Sequence, residues 1–111
     1  MFLTPLKVTK EGDKWRLLEP LSYLYIDRVI TAPQGFLSDF ASVPRIPLVY
    51  SAFGNTGHKA AVIHDYLYSI KHDRKEADKI FLDALKHHEH PIRSHIMYGA
   101  VRLFGWISYR K

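Results

Sequence analysis

The stretch AAVIHDYLYSIKHDRKEADKIF, residues 60–81, decides the fold of the second half of the chain. On each side of the connection KHDR, apolar residues recur at intervals of three and four, which predicts two amphipathic helices. Because the connection is short, we expect these helices to pack as an antiparallel hairpin. Three polar residues, His64, Asp65 and Asp78, lie among the apolar positions, and any chemistry of this protein is expected near them.

The same spacing continues to the C-terminus and predicts three helices within residues 58–110. The first runs from His58 to Ile70, the second from Arg74 to His88, and Pro91 begins the third. The residues expected to face the core are Ala60, Ile63, Leu67 and Ile70, then Ala77, Ile80, Phe81, Ala84 and Leu85, then Ile92, Ile96, Ala100, Leu103, Phe104 and Ile107.

Residues 1–38 instead alternate apolar and polar side chains between turn-forming residues, which predicts strands. LKVTK and KWRLL flank EGD and indicate a hairpin, and LSYLYIDRVI, residues 21–30, suits a strand. Residues 35–50, which include GFLSDFASVPRIP, are expected to form an ordered loop. The predicted fold class is α+β, a small N-terminal antiparallel sheet packed with three C-terminal helices.

Length and composition favour one domain, residues 1–111, with 47% hydrophobic residues. The absence of cysteine excludes disulfides, thiolate zinc sites and cysteine nucleophiles. Neither a signal peptide nor a membrane span is expected from the hydropathy. The net charge of +5 favours an anionic partner, such as a lipid surface. Nucleic acid is not expected, because no run of five basic residues and no nucleic-acid-binding motif occurs.

His64 and Asp78 lie at equal distances from the centre of the hairpin turn, so the two side chains are predicted to meet. Asp78 falls on the buried stripe of the second helix, where an ionised carboxylate needs a partner. A carboxylate bonded to one imidazole nitrogen fixes the tautomer and allows the other nitrogen to take a proton, as in a general base. Tyr68, one turn beyond His64, can donate its hydroxyl to the same carboxylate.

The spacing alone favours a structural role for these residues over a catalytic or metal-binding one, because a buried His–Asp pair often fixes the packing of two helices. Asp65 is turned about 100° away around the helix, toward a flank where a cation or charged substrate could lie, but it is also an ordinary solvated position. Ser42 could complete a Ser–His–Asp triad with His64 and Asp78, although no Gly-x-Ser-x-Gly motif surrounds it.

Two further groups of residues, a histidine cluster and three C-terminal aromatic residues, are more simply explained by ordinary structural roles. The histidines of KHHEH, residues 86–90, precede Pro91 and are expected to be solvated at a helix end; they are His87, His88 and His90. Tyr98, Trp106 and Tyr109 could form a contact surface, but aromatic residues of this kind more often pack in a core.

The segments GFLSDFASVPR (35–45), AAVIHDYLY (60–68), RKEADKIF (74–81) and YGAVRLFG (98–105) together resemble a family of short bacteriophage and prophage proteins of unknown function. The resemblance covers nearly two thirds of the chain. It implies a phage or prophage origin, a location in the bacterial host cytoplasm or the virion, and virion proteins as partners. It implies no activity.

HDYLY followed by AD and F is also similar to the two-helix active site of secreted and parvovirus-type phospholipases A2. By this resemblance His64 activates water, Asp65 binds calcium, Asp78 orients His64, and Tyr68 bonds to Asp78. The similarity covers about 20 residues, and the glycine-rich calcium loop and the disulfides of those enzymes are absent.

A Ca²⁺ ion would need further oxygen ligands, and the loop GFLSDFASVP is the candidate source. Asp39 could ligate directly, and Gly35 would let the backbone approach closely. Local turn chemistry is the alternative role for Asp39 and Ser42. Gly35, Ser42 and Arg45 are the loop residues expected beside a substrate. Zn²⁺ held by Asp39, His64 and Asp65 is a second possibility.

Two functions from different classes follow. The first is a phage-encoded, metal-assisted hydrolase with His64 as general base, acting on a lipid ester or another cell-envelope bond. The second is a non-catalytic structural or accessory phage protein. An enzyme predicts an open cleft with His64 accessible, whereas a structural role predicts a dry cluster with every polar atom paired.

Overall fold

A computed structural model describes residues 1–38 and 47–86, together with residues 95, 98, 99, 101–103, 106 and 109. Side chains are described at 1–38, at 58–85 and at the C-terminal positions. The strands are β1 (Val8–Glu11), β2 (Lys14–Leu17), β3 (Leu21–Tyr25), β4 (Arg28–Ala32) and β5 (Leu37–Ser38), and the helices are α1 (Pro47–Ser69) and α2 (Arg74–Lys86). The predicted α+β class is confirmed, with the sheets first and the helices after them.

All strand pairs are antiparallel, as predicted, but they form two sheets in place of one. One sheet has the order β1-β2-β5 and the other consists of β3 and β4. The predicted EGD hairpin joins β1 to β2, with Val8 opposite Leu17 and Gly12 at a φ of 65°. Glycine suits this turn because it adopts positive φ without a steric cost.

The composition of LSYLYIDRVI predicted a single strand, and this prediction is wrong. The stretch forms most of the hairpin made by β3 and β4. The chain reverses at Ile26 and Asp27, with Tyr25 paired to Arg28. Ile26 has a φ of 58° and is 79% exposed. The turn was missed because β-branched residues rarely occupy this left-handed region, so its sequence carries no turn signal.

We expect the substitution Ile26→Gly to stabilise the protein, by about 1 kcal/mol, because glycine removes the clash that a β-carbon makes at positive φ. The free energy of unfolding, measured by urea denaturation, tests this. Val29→Gly is the matched control: Val29 is also exposed but lies in an extended strand, where glycine should cost about 0.5–1 kcal/mol. A loss of stability in Ile26→Gly would contradict the strained turn.

Helix α1 begins at Pro47, well before the predicted start at His58. The segment between them contains Gly54 and Gly57, which lower helix propensity and concealed the start. The predicted loop 35–50 is therefore shorter: residues 37–38 form β5, residues 39–46 lie outside the described part of the chain, and the helix follows.

The C-terminus of α1 is closed by the hydrogen-bond pattern that commonly ends helices at a left-handed residue. The amide of His72 donates to the carbonyl of Leu67, the amide of Lys71 donates to that of Tyr68, and Lys71 has a φ of 57°. Ile70, predicted to be buried, is 53% exposed because the helix has already ended at this point.

Helix α2 begins immediately after Asp73, whose carboxylate accepts a hydrogen bond from the amide of Glu76 at 3.0 Å and caps the helix. All five residues predicted to face the core from this helix are buried: Ala77, Ile80, Phe81, Ala84 and Leu85. Side chains also join α2 to the sheet. The hydroxyl of Tyr23 donates to Asp83, and Arg28 pairs with Glu76 at 2.8 Å.

Every described residue from 95 to 109 is helical, in agreement with the predicted third helix. The predicted start at Pro91 and the core positions Ile92, Ile96, Ala100, Phe104 and Ile107 lie outside the described residues. Leu103, also predicted to be buried, is 68% exposed, while its neighbour Val101 is buried. The helical rotation of this segment therefore differs from the predicted one. In the described part of the chain, no helix has the length and apolar character needed to cross a membrane.

Candidate functional site

The predicted pair between the two helices is present. His64 lies on α1 and Asp78 on α2, and the imidazole Nε2 is 2.6 Å from the carboxylate Oδ1. Because the turn holds the helices antiparallel, residues at equal distances from it face each other. His64 and Asp78 are 1% and 0% exposed, so the contact is fully buried.

Asp78 is the centre of a larger cluster. Its Oδ1 also accepts a hydrogen bond from the hydroxyl of Tyr68 at 2.5 Å, and its Oδ2 accepts one from Nη1 of Arg102 at 2.9 Å. The rings of Tyr68 and Phe81 lie against the imidazole of His64, with centroids 4.1 and 4.9 Å from it. The buried carboxylate thus has three hydrogen-bond donors, which offset the cost of removing it from water.

The protonation states follow from these contacts. Burial lowers the pKa of His64, against the opposing effect of Asp78, so the imidazole is neutral near pH 7. Burial would raise the pKa of Asp78, but the hydrogen bonds from His64 and Tyr68 hold it below its usual value. An ionised Asp78 requires the proton of His64 to be on Nε2, which makes Nδ1 the basic nitrogen.

The cluster predicts that the protein becomes less stable in acid. Unfolded His64 gains a proton below about pH 6.5, whereas the folded form resists it, so the free energy of unfolding should fall as the pH drops from about 7 to about 5. The stabilisation by Asp78 is present above about pH 4 and is lost below it.

Urea denaturation across this pH range measures the effect. The variant His64→Gln should show a shallower dependence between about pH 6.5 and pH 5 than the wild type. Thr9→Gln, at an exposed position of β1 that carries no ionisable group, is the control and should follow the wild-type curve. Identical slopes for wild type and His64→Gln would contradict a neutral, buried His64.

Asp65 lies on another side of α1, as the 100° rotation predicts, and faces the sheet. Its Oδ2 accepts a hydrogen bond from the hydroxyl of Ser38 at 2.5 Å. Ser38 ends β5 and immediately precedes Asp39 in the chain. The end of β5 therefore lies against the carboxylate of Asp65.

Gly35 has a φ of 86°, which explains why glycine occupies this turn. Its carbonyl oxygen accepts a hydrogen bond from Arg16 at 2.8 Å. Among residues 1–38, 58–85 and the described C-terminal positions, no three His, Asp or Glu side chains are grouped as a metal site. Six candidate residues lie outside the described part: Asp39, Ser42, Arg45, His87, His88 and His90.

Two members of the cluster were not expected from the sequence, Arg74 and Arg102. Arg102 reaches Asp78, and Nη2 of Arg74 donates to the carbonyl oxygens of Val101 and Arg102 at 2.8 and 2.6 Å. The two arginines thus join α2 to the C-terminal helical residues in both directions. No spacing signal marks them, because arginines on helices are usually solvated. The contact of Ser38 with Asp65 was missed for a different reason, because it depends on where β5 packs against α1.

Comparison with known proteins finds one family whose model matches residues 15–101; it is described as a protein of unknown function (DUF1353). This span contains every residue of the cluster except Arg102 and includes the loop as well as the helical hairpin. Neither the curated proteins nor the solved structures contain a match to the chain.

Proposed function

The chain belongs to the DUF1353 family of proteins of unknown function, and we propose that here His64 is the general base of a metal-assisted hydrolase. The substrate is a lipid ester or another bond of the bacterial cell envelope, and the protein is of phage or prophage origin. The observation that carries the proposal is the hydrogen bond from Nε2 of His64 to Oδ1 of Asp78. The same oxygen atom also accepts a hydrogen bond from the hydroxyl of Tyr68.

This arrangement supplies two of the things that a general base needs, a fixed tautomer and a stabilised imidazolium. The third is access of water to His64, which is 1% exposed, so the proposed reaction requires the site to open when substrate binds. Asp78 fixes the tautomer and stabilises the imidazolium that forms when Nδ1 takes a proton from water. The resulting hydroxide attacks the carbonyl carbon of the ester, and the imidazolium then returns the proton to the leaving alkoxide. Tyr68 and Arg102 hold Asp78 in its ionised form throughout, so that the carboxylate itself need not take the proton.

Asp65 and Asp39 are the residues that would hold the metal ion. Their carboxylates are hard oxygen ligands, which suit Ca²⁺ better than Zn²⁺, and a Zn²⁺ site that used Nε2 of His64 would compete with Asp78. The hydrogen bond from Ser38 to Asp65 supports this assignment, because it brings the chain next to Asp39 up to Asp65. When bound, the ion would polarise the carbonyl oxygen of the substrate.

A calcium-dependent assay tests the proposal. Release of fatty acid from phospholipid vesicles and of fragments from purified cell walls is measured with Ca²⁺ and with a chelator. We expect hydrolysis that requires Ca²⁺, and a loss of at least about tenfold in Asp65→Asn, because a neutral amide is a weaker ligand. Asp27→Asn, at the exposed β3–β4 turn, is the control and should keep full activity. Hydrolysis unaffected by both chelator and Asp65→Asn would remove the metal from the proposal.

A second function, a non-catalytic phage structural or accessory protein, is favoured by one observation. His64 and Asp78 are sealed from solvent, which is the arrangement expected of a cluster that only holds helices together. This alternative predicts that purified virions contain the protein and that His64→Gln, which can still donate to Asp78, leaves virion assembly unchanged. The hydrolase predicts that the same variant loses activity while remaining folded.

A further inference from the structure

The C-terminal helical residues present a surface that the proposed chemistry does not use. Four of them, His95, Gly99, Leu103 and Trp106, fall within an arc of about 80° on a helix of 3.6 residues per turn, and we call this the outer face. Leu103 is 68% and Trp106 46% exposed. Val101, roughly opposite on the helix, is buried against the core. The segment thus has an apolar side chain on its buried side and two large apolar side chains, Leu103 and Trp106, on its solvent side.

The turn between α1 and α2 borders this segment. The ammonium group of Lys71 donates to the carbonyl oxygen of Tyr109 and lies 4.9 Å from the centroid of its ring. Ile70, beside Lys71, is exposed as well. An aliphatic side chain and a cation therefore lie next to the segment that carries Leu103 and Trp106.

The charge of the C-terminal sequence is one-sided. Residues 91–111 contain no Asp or Glu, and their four cations, Arg93, Arg102, Arg110 and Lys111, supply four of the five net positive charges of the chain. Exposed tryptophan and leucine within a basic segment that lacks acidic residues are the combination that binds the interface of an anionic membrane. A tryptophan ring suits the headgroup region because it is apolar with one polar edge.

We infer that the outer face docks the protein on an anionic lipid bilayer, with Leu103 and Trp106 at the boundary between headgroups and acyl chains. Such docking would hold the protein on the membrane that contains the lipid substrate of the proposed function, and in this respect the inference rests on that function. Arg102 lies on the flank of the outer face and bonds to Asp78, so docking would bring the bilayer to the side of the protein that carries the cluster.

Vesicle binding tests this without any turnover. The protein is mixed with vesicles of phosphatidylcholine containing about a quarter phosphatidylglycerol, and with phosphatidylcholine alone, and binding is followed by co-sedimentation and tryptophan fluorescence. We expect binding and a blue shift with the anionic vesicles only, weakened by raising the salt from about 0.1 M to about 0.5 M. Trp106→Phe should remove most of the blue shift, which assigns it to Trp106 and not to Trp15.

Leu103→Ser is the decisive variant and should bind about tenfold more weakly, because its side chain no longer enters the interface. Leu18→Ser is the matched control: Leu18 is also an exposed leucine, at 49%, but lies just after β2, and its substitution should not change binding. Equal binding by Leu103→Ser and wild type, or equal binding to neutral and anionic vesicles, would overturn the inference. So would a dimer in solution that Leu103→Ser dissociates, because the occupant would then be a second copy.

The outcomes also separate this inference from the proposed function. If the protein binds anionic vesicles but hydrolyses no lipid or cell-wall bond, docking stands and the hydrolase fails. If it hydrolyses a soluble ester but does not bind vesicles, the hydrolase stands and docking fails.

Discussion

Replacing Asp78 by alanine should lower the free energy of unfolding by about 3–5 kcal/mol, the largest loss that we expect from a single change in this protein. The carboxylate is 0% exposed and accepts hydrogen bonds from His64, Tyr68 and Arg102. Alanine leaves these three donors without their acceptor in a buried place, and one of them carries a full charge. Urea denaturation at neutral pH measures the loss.

If Asp78→Ala does not fold, Asp78→Asn provides the measurement, because it keeps the size of the side chain and one acceptor oxygen but removes the charge. Its loss should be smaller, about 2–3 kcal/mol. Glu19→Gln is the control for an exposed ion pair, since Glu19 meets Lys7 at 3.4 Å in solvent and should contribute less than about 1 kcal/mol. A loss in Asp78→Ala no greater than that in Glu19→Gln would show that the cluster does not stabilise the fold.

The second large effect concerns the proposed hydrolysis, which His64→Gln should slow by a factor of about 10²–10⁴, the usual contribution of a general base. Glutamine can place its amide nitrogen near the position of Nε2 and donate to Asp78, so the fold should survive. It has no nitrogen that can take a proton from water. Initial rates on the substrate identified in the calcium-dependent assay measure the effect, and the unfolding curve confirms that the variant is folded.

The variant Tyr68→Phe distinguishes the effect of removing the base from the effect of weakening the hydrogen bonds that orient it. It removes one hydrogen bond to Asp78 but keeps the ring that packs on His64, so the rate should fall by less than about tenfold and the stability by about 1 kcal/mol. Full activity in a folded His64→Gln variant would exclude His64 as the base. The remaining explanation for the cluster would then be the structural one.

The cluster itself could be predicted because it lies within one helical hairpin. The short connection fixes the two helices relative to each other, so spacing along the sequence was enough to pair His64 with Asp78 and to add Tyr68 one turn away. Arg102 could not be predicted, because its position depends on how a separate segment packs against α2. The contact between Ser38 and Asp65 likewise joins a strand to a helical residue that lies 27 positions further along the chain.

The errors in the fold have local causes. Ile26 turns the chain at a positive φ that its side chain disfavours, so its sequence looked like a continuous strand. Two glycines hid the first turns of α1. Leu103 fits a helical repeat that predicted a buried position, but the segment is rotated so that Val101 faces the core. Periodicity indicates that a helix is amphipathic, and packing decides which of two neighbouring residues is buried.

The sequence by itself determined that strands precede helices, that two helices form a hairpin and that His64 meets Asp78, because these depend on backbone periodicity and on one short connection. The tertiary structure decided the division into two sheets, the contact of Asp65 with β5, the arginines around Asp78 and the exposure of Leu103 and Trp106. These features arise where segments distant in sequence pack together, and such packing is set by the fit of whole surfaces, which no local pattern records.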